Sequence, residues 1–318
     1  MTLHTSQLRR QAEERLEKVP YCPRKLVLIH AAVSLGVTLL SVLMSFLFSQ
    51  MSLGDGGLSG MGQQAVLETV QVTLELAITF LLPFWNIGLI RAVLHWLKGE
   101  PATPRTLLEG FRRFGTVFGI KVMTGMAFFA FAMAAINIGS TLFLLTPFSN
   151  AYTTALEAIL AEAETAMTPE MLMSPEIMAR LGNTMIPMLA ICLVLFAVVA
   201  IPVFYRLRFV EFAAMEGGGA FMSFIESIRI TRKCKWQLFK LDLSFWWFYL
   251  LQAFTVVLCY GADILGLMGV TLPLSPDLAF FLFYVLGLVG QLVLIWRCQA
   301  KISTTYGLAY EALWADKE

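Results

Sequence analysis

The sequence predicts an all-α polytopic membrane helix bundle: six transmembrane helices, both termini on the cytoplasmic side, and amphipathic helices at the interfaces. Three observations lead there. Hydrophobic residues make up 58% of the 318 residues and charged ones only 14%, against roughly 25% charged in an average soluble domain; the mean hydropathy is +0.73. Apolar stretches of the length a bilayer core demands, about 20 residues, recur along the chain. Lys and Arg gather in alternate connecting segments, the pattern by which cytoplasmic loops are recognised. The net charge of +1 supplies no global basic field, so nucleic acid is not an expected partner.

The elements follow in order. Residues 1–25 form a polar arm with Arg9, Arg10, Arg15, Lys18, Arg24 and Lys25. The spans are expected at about 26–48, 65–90, 117–148, 186–208, 243–264 and 278–297. Leu26–Phe48 carries no Asp, Glu, Lys or Arg, and the same holds for Val122–Phe148, Ile186–Tyr205, Leu243–Ala262 and Leu278–Trp296. The first span is not expected to be a cleaved leader: its 23 apolar residues exceed the 7–15 or so of a signal-peptide core, and no small-x-small site follows. Of the 23 Lys and Arg, 22 fall in the arm, in the segments after spans two and four, or in the tail; only Arg180 falls elsewhere. With six spans those regions share one side, so both termini are assigned to the cytoplasm.

Between spans one and two lies a Gly-rich turn, GDGGLSGMG. The longer outer segment 149–185 reads as short amphipathic helices on the outer membrane face. Leu156, Ile159, Leu160, Ala163 and Met167 recur at helical spacing, Thr168-Pro169-Glu170 and Ser174-Pro175-Glu176 resemble helix starts, and Gly182-Asn183 resembles a stop. Gly217-Gly218-Gly219 reads as a flexible break after span four.

The two inner loops resemble each other. TLLEGFRRF from Thr106 aligns with SFIESIRIT from Ser223 at an offset of 117, and Pro83-Phe84-Trp85 matches Pro202-Val203-Phe204 at an offset of 119. A duplicated two-span hairpin in parallel orientation accounts for this, as do two amphipathic inner helices of independent origin. Either way these helices face an anionic leaflet, where each Lys or Arg is worth about 1 kcal/mol. Arg112, Arg113, Arg229, Arg232, Lys233 and Lys235 are the candidate anionic-lipid contacts, so membrane lipid is the expected partner. Trp236, Phe239, Trp246 and Trp247 flank the same interface, where aromatic rings sit well.

Ionisable residues inside a bilayer are functional candidates by default. Gln64, Glu68, Gln71, Glu75, Thr79 and Asn86 lie along one stripe of span two. Glu75 falls about 15 Å into the span at 1.5 Å per residue, with no cation obviously beside it. It is expected to be protonated or hydrogen-bonded to neutral partners, the candidates being Asn137, Gln252 and Gln291. Glu68, Glu75, Asn86, Asn137, Gln252 and Gln291 together form the candidate intramembrane polar site, read either as a pathway or as a packing network. Asp242 and Asp263 are expected at the ends of span five, and His30 is read as a helix-contact residue. The five cysteines and three histidines are isolated, so no metal or cofactor is expected. Phosphate-loop, zinc-protease and nucleophile-elbow motifs are absent from the sequence, so the chain is not expected to be an enzyme.

The residues from Ser227 onward, SIRITRKCKWQLFKLDLSFWW, followed by an apolar hairpin and TTYGLAYEAL from Thr304, resemble a bacterial integral-membrane family known as domain of unknown function nine-seven-five. Ser227, Trp236, Leu238, Phe239, Leu241, Leu243, Ser244, Phe245, Thr304, Thr305, Tyr310, Glu311 and Leu313 carry the resemblance, with Gly99-Glu100, Leu107, Leu108 and Phe111 upstream. Lys233 stands where that family has Gly, and Arg297-Cys298 where it has Pro. The membrane domain of some glycerophosphodiester phosphodiesterases is more distantly similar. The resemblance implies a bacterial cytoplasmic-membrane protein and no particular activity. Two roles remain open: a non-enzymatic protein that binds or organises lipid or small amphiphiles in the envelope, and a small-solute or lipid transporter, or transporter subunit, using the stripe around Glu75.

Overall fold

The computed structural model describes residues 4–20, 22–52, 58–164, 175–267 and 275–315. The chain is all-α, with no strand among these residues. Among the described residues, five helices are long and apolar enough to cross a membrane: Pro23–Met44, Thr69–Leu97, Phe114–Leu144, Met185–Glu216 and Leu278–Ala315. They coincide with expected spans one, two, three, four and six. Span five differs. Helix Lys235–Leu243 meets helix Trp246–Cys259 at 63°, so a sixth crossing exists only if this bent pair is one span. The bend has a local cause. Ser244 turns its hydroxyl back onto the Leu241 carbonyl at 2.7 Å, which competes with the helix ladder. Phe245 is drawn into the core, and the Ser244 carbonyl is taken by Arg9 Nη1 at 3.3 Å.

The chain forms two compact units, Met1–Ile120 with Leu207–Glu318, and Lys121–Arg206. The first begins with α1 (Thr5–Lys18), inside what the sequence presents only as a polar arm. Its short stripe of Leu8, Ala12 and Leu16 has helical spacing, and Leu8 and Ala12 are buried. Arg15 donates to the Leu97 carbonyl and Lys301 pairs with Glu13, so α1 is tied across two other helices.

Next come α2 (Pro23–Ser52) and α3 (Leu58–Leu97), which runs unbroken through Pro83. Gly99, at φ +73°, ends that run; a left-handed residue there is cheap only for glycine. A short 3-10 turn, Pro104–Leu108, and α4 (Glu109–Arg112) then fold back onto α3. The approach is so close that a Cβ on Gly88 would overlap the Leu107 carbonyl, and one on Gly110 the Phe84 carbonyl. Arg91 on α3 bonds Glu109 at 2.9 Å and locks the fold-back.

The helix α5 (Phe114–Leu144) starts in this unit, and α7 (Pro175–Leu207) ends at its border. After α7 come α8 (Val210–Glu216) and α9 (Ala220–Thr231). Gly217, at φ +127°, makes the sequence-expected break between them. The last carbonyls of α8 face cations, as a helix C-terminus favours: Arg113 bonds Ala214 O at 2.6 Å and Arg91 bonds Met215 O at 3.1 Å. Ser227 Oγ accepts from the Phe209 amide at 3.2 Å. Ser227 and Gly110 correspond at the 117-residue offset, and both sit where an inner helix presses on the backbone before it.

Helices α10 (Lys235–Leu243), α11 (Trp246–Cys259), α12 (Gly261–Leu267) and α13 (Pro276–Ala315) complete the unit. Small residues let α11 and α13 approach, the usual solution where lipid gives helices no hydrophobic reason to associate: a Cβ on Gly287 would lie 2.8 Å from Thr255 O. The 40 residues of α13 reach about 60 Å at 1.5 Å each, twice a bilayer core. Its second half is protein-buried, with Thr304, Thr305, Ala309 and Tyr310 almost wholly enclosed. Tyr310 packs on Phe209 and Phe212 and donates to Glu216 Oε2 at 2.8 Å.

The unit Lys121–Arg206 holds the rest of α5, α6 (Phe148–Glu164) and nearly all of α7. Phe143 meets Tyr152 edge-on at 6.1 Å, joining α5 to α6. The expected helix start at Ser174-Pro175-Glu176 is where α7 begins, whereas Thr168-Pro169-Glu170 lies outside the described residues. The expected stop at Gly182-Asn183 is overturned, because α7 continues through it. A single Gly costs a helix about 1 kcal/mol, too little to break one with a long apolar run ahead. Leu189, Leu193 and Val198 are each about two-thirds exposed, the surface expected of a helix facing hydrocarbon.

Candidate functional site

A cavity of about 390 Å³ opens within the first unit, where α2, α3, the α7–α8 junction, α11 and α13 converge. Its wall is mixed: Leu89, Ile90, Val93, Phe212 and Phe248 are apolar, while His30, Asn86, Arg208, Gln252, Gln299 and Tyr306 bring polar groups. Span one supplies His30 near the start of its apolar run. The imidazole stacks on Trp85 of α3, centroids 5.7 Å apart and planes within 2°, and Trp85 Nε1 donates to the His30 carbonyl at 3.1 Å. Asn86, one residue after Trp85, lines the same wall. The His30 side chain is 8% exposed, yet Nε2 has no protein partner. Nε2 is enclosed by protein, so His30 contributes to the wall as the packed His30–Trp85 pair.

The opposite wall is built around Arg208. Its guanidinium lies 4.2 Å from the Tyr306 ring centroid and 3.6 Å from Asp242 Oδ1. Tyr249 donates to the same Asp242 oxygen at 3.2 Å, and its hydroxyl is 3.4 Å from that of Tyr306. Gln299 Nε2 donates to Ser303 Oγ at 3.2 Å. Glu211 also lines the cavity, so its wall carries one arginine, already engaged by Asp242, and one further carboxylate, and the cavity holds no surplus cation. Neutral hydrogen-bonding groups dominate what remains. Such a wall recognises hydroxyl, amide or similar uncharged polar groups better than a free phosphate. Among the described residues no three His, Cys, Asp or Glu side chains converge as metal ligands would.

The sequence-derived polar site divides. Asn86 and Gln252 meet in this cavity. Glu75 does not line it; it is exposed and accepts a hydrogen bond from Gln71, one turn earlier on its own helix, at 3.1 Å. The neutral partner expected for Glu75 is thus Gln71 rather than Asn137, Gln252 or Gln291. Asn137 donates to the Met133 carbonyl on its own helix at 2.7 Å, and Gln291 is half-buried on α13. The Glu68 side chain and that of Asp263 lie outside the described residues. Asp242 is the anchor of Arg208.

Of the candidate lipid contacts, Arg112, Arg229, Arg232 and Lys233 are exposed, and Lys235 is half-buried. Arg113 is engaged in capping α8. Trp236 stacks on Phe239 at 5.0 Å, and both are exposed together with Trp246 and Trp247. Sequence reasoning misses Arg208, Gln299, Ser303 and Tyr306. Along the chain Arg208 is only one charge of a basic segment. Gln299, Ser303 and Tyr306 carry a legible signal, since steps of four and three place them on one helical face.

No protein-family model, curated protein or solved structure matches the chain.

Proposed function

We propose that the protein is a non-enzymatic, multi-pass protein of the bacterial cytoplasmic membrane that binds the polar head of a lipid or small amphiphile in the cavity beneath His30. Both termini lie on the cytoplasmic side, in keeping with the placing of 22 of the 23 Lys and Arg. The observation that carries the binding reading is a cavity wall in which the neutral polar residues Asn86, Gln252, Gln299 and Ser303 stand among apolar side chains. Apolar residues between those groups suit the glycerol or acyl region of an amphiphile, and ligand sites are typically apolar pockets with a few fixed polar groups. The balance of Arg208 by Asp242 and Glu211 favours an uncharged or zwitterionic head. The resemblance to the bacterial membrane family supports the location.

The test is quantification by mass spectrometry of amphiphiles that co-purify with the full chain in mild detergent. H30F keeps an aromatic ring against Trp85 but removes both ring nitrogens, and Q252L removes an amide at similar size. Each is expected to lower the retained amphiphile at least five-fold in protein that remains folded by circular dichroism. Unchanged retention in both variants would overturn the reading.

A further inference from the structure

A second cavity, of about 660 Å³, lies under α1, against the start of α2 and the lower part of α13. Its chemistry is opposite to that of the first. Arg9, Arg24, Arg297 and Lys301 line it against only two carboxylates, Glu13 and Glu17. Lys301 is matched by Glu13, and Arg9 is held over the Phe245 ring at 5.0 Å while bonding the Ser244 carbonyl. Arg24 and Arg297 have no carboxylate partner among the described residues, and they come from helices far apart in sequence. Both are exposed, and with Arg9 and Lys301 they outnumber Glu13 and Glu17 by two, so the recess carries a surplus of positive charge that attracts an anion. Pro23 opens α2 beside Arg24, so the positive end of a 30-residue helix adds to the same field.

The recess also has an apolar exit. Trp247 lines it, and Leu250, Leu251 and Phe254, at steps of three, four and seven on α11, are exposed. These positions form one helical face leading away from the cations. A cationic recess joined to an exposed apolar face matches a phosphate group carrying an acyl tail better than a phosphate alone.

We propose that this recess is a binding site for the phosphate-bearing headgroup of an anionic membrane lipid, clamped between Arg24 and Arg297 and roofed by α1. The acyl chains lie along Trp247, Leu250, Leu251 and Phe254. The site is separate from the His30 cavity and does not depend on what binds there. Lipid seated here would tie α1 to the membrane, adding to the buried Leu8 and Ala12 and to the contacts of Arg9, Arg15 and Glu13.

The experiment uses the full chain in nanodiscs of phosphatidylcholine alone or with added phosphatidylglycerol, and reads lipid retained after detergent exchange. Phosphatidylglycerol is expected to be retained over phosphatidylcholine. R24Q/R297Q is expected to lose about 25-fold of that retention, two interfacial charges each being worth about five-fold. R24K/R297K keeps the charges and is expected to stay within about three-fold of the wild type. R10Q/R105Q removes two exposed cations away from the recess and is expected to change nothing. Inorganic phosphate is added to lipid-depleted protein in a separate thermal-shift arm. Equal loss in R24Q/R297Q and R10Q/R105Q would reduce the effect to general surface charge and overturn the site. Stabilisation by inorganic phosphate equal to that by phosphatidylglycerol would assign the recess to a soluble phosphate and overturn the lipid.

Discussion

The Arg208 guanidinium lies 4.2 Å over the Tyr306 ring while reaching Asp242 at 3.6 Å. One planar cation therefore joins the α7–α8 junction, the α10 end and α13 into the wall of the His30 cavity. A lysine cannot replace it, because an ammonium neither stacks on the ring nor presents a planar fork. With Arg208 and Asp242 side chains 25% and 16% exposed, the pair is worth less than the 3–5 kcal/mol or so typical of breaking a fully buried one. R208K is expected to lower stability by about 1 kcal/mol, the scale of a partly exposed cation–π contact, and R208A by about 2–3 kcal/mol. Thermal unfolding in detergent measures both. A D242N/R208A double variant no worse than R208A alone is expected, because the neutral amide at position 242 removes the stranded charge.

The fold-back of residues 104–112 onto α3 depends on two glycines whose missing side chains leave room for carbonyls. G88A and G110A each force a methyl into backbone, Leu107 in one case and Phe84 in the other. Backbone cannot swing aside as a flexible side chain can, so each is expected to cost at least about 3 kcal/mol, the upper range of overpacking. G36A, with nothing within 4 Å of the added Cβ, is expected to be neutral within about 1 kcal/mol. Yield and thermal midpoint of the three variants side by side decide the matter.

Glu75 lies outside the cavity and bonds Gln71 on its own helix. An amide at position 75 can accept the same bond. E75Q is therefore expected to fold, and to retain amphiphile within about two-fold of the wild type while H30F and Q252L lose it. A selective loss of solute flux in E75Q, with retention unchanged, would instead favour the transporter reading made from the polar stripe.

Thiol chemistry reads the topology. Cys22 is exposed at the start of α2, whereas Cys234 and Cys259 are buried. A membrane-impermeant maleimide is expected to label Cys22 in inside-out vesicles and not in intact cells, with Cys234 and Cys259 reacting only after denaturation. Labelling of Cys22 from outside intact cells would reverse the assigned orientation.

Five spans are legible in sequence to within a few residues at most ends, because lipid imposes a local rule: enough apolar residues in a row, with few charges among them, none in the core runs of four and only Glu68 and Glu75 in span two. Span five shows where that rule stops. Leu243–Ala262 is free of charge, yet the helix bends at Ser244-Phe245, since the bend is decided by a buried Phe245 and by Arg9, which lies 235 residues away along the chain. Helix α1 is hidden for a related reason. Its buried face is one Leu and one Ala on an otherwise charged segment, too little apolar surface to register without knowing what it packs on. Gly182-Asn183 shows the reverse error: a local stop signal overruled by the apolar helix on one side of it.

By itself the sequence determined the helical class and the segments able to enter a bilayer, since hydrocarbon selects residues one stretch at a time. Only the tertiary structure decided which polar groups meet. His30, Asn86, Arg208, Gln252 and Tyr306 come from five separate segments, and no spacing along the chain encodes their approach. Desolvated polar groups are stable only beside partners. Those partners are set by how helices cross, which depends on close contacts such as Gly88 with Leu107 and Gly287 with Thr255. The stripe through Glu75 is regular in sequence, but its neighbour in space is Gln71, whereas the cavity is assembled from residues that look isolated along the chain.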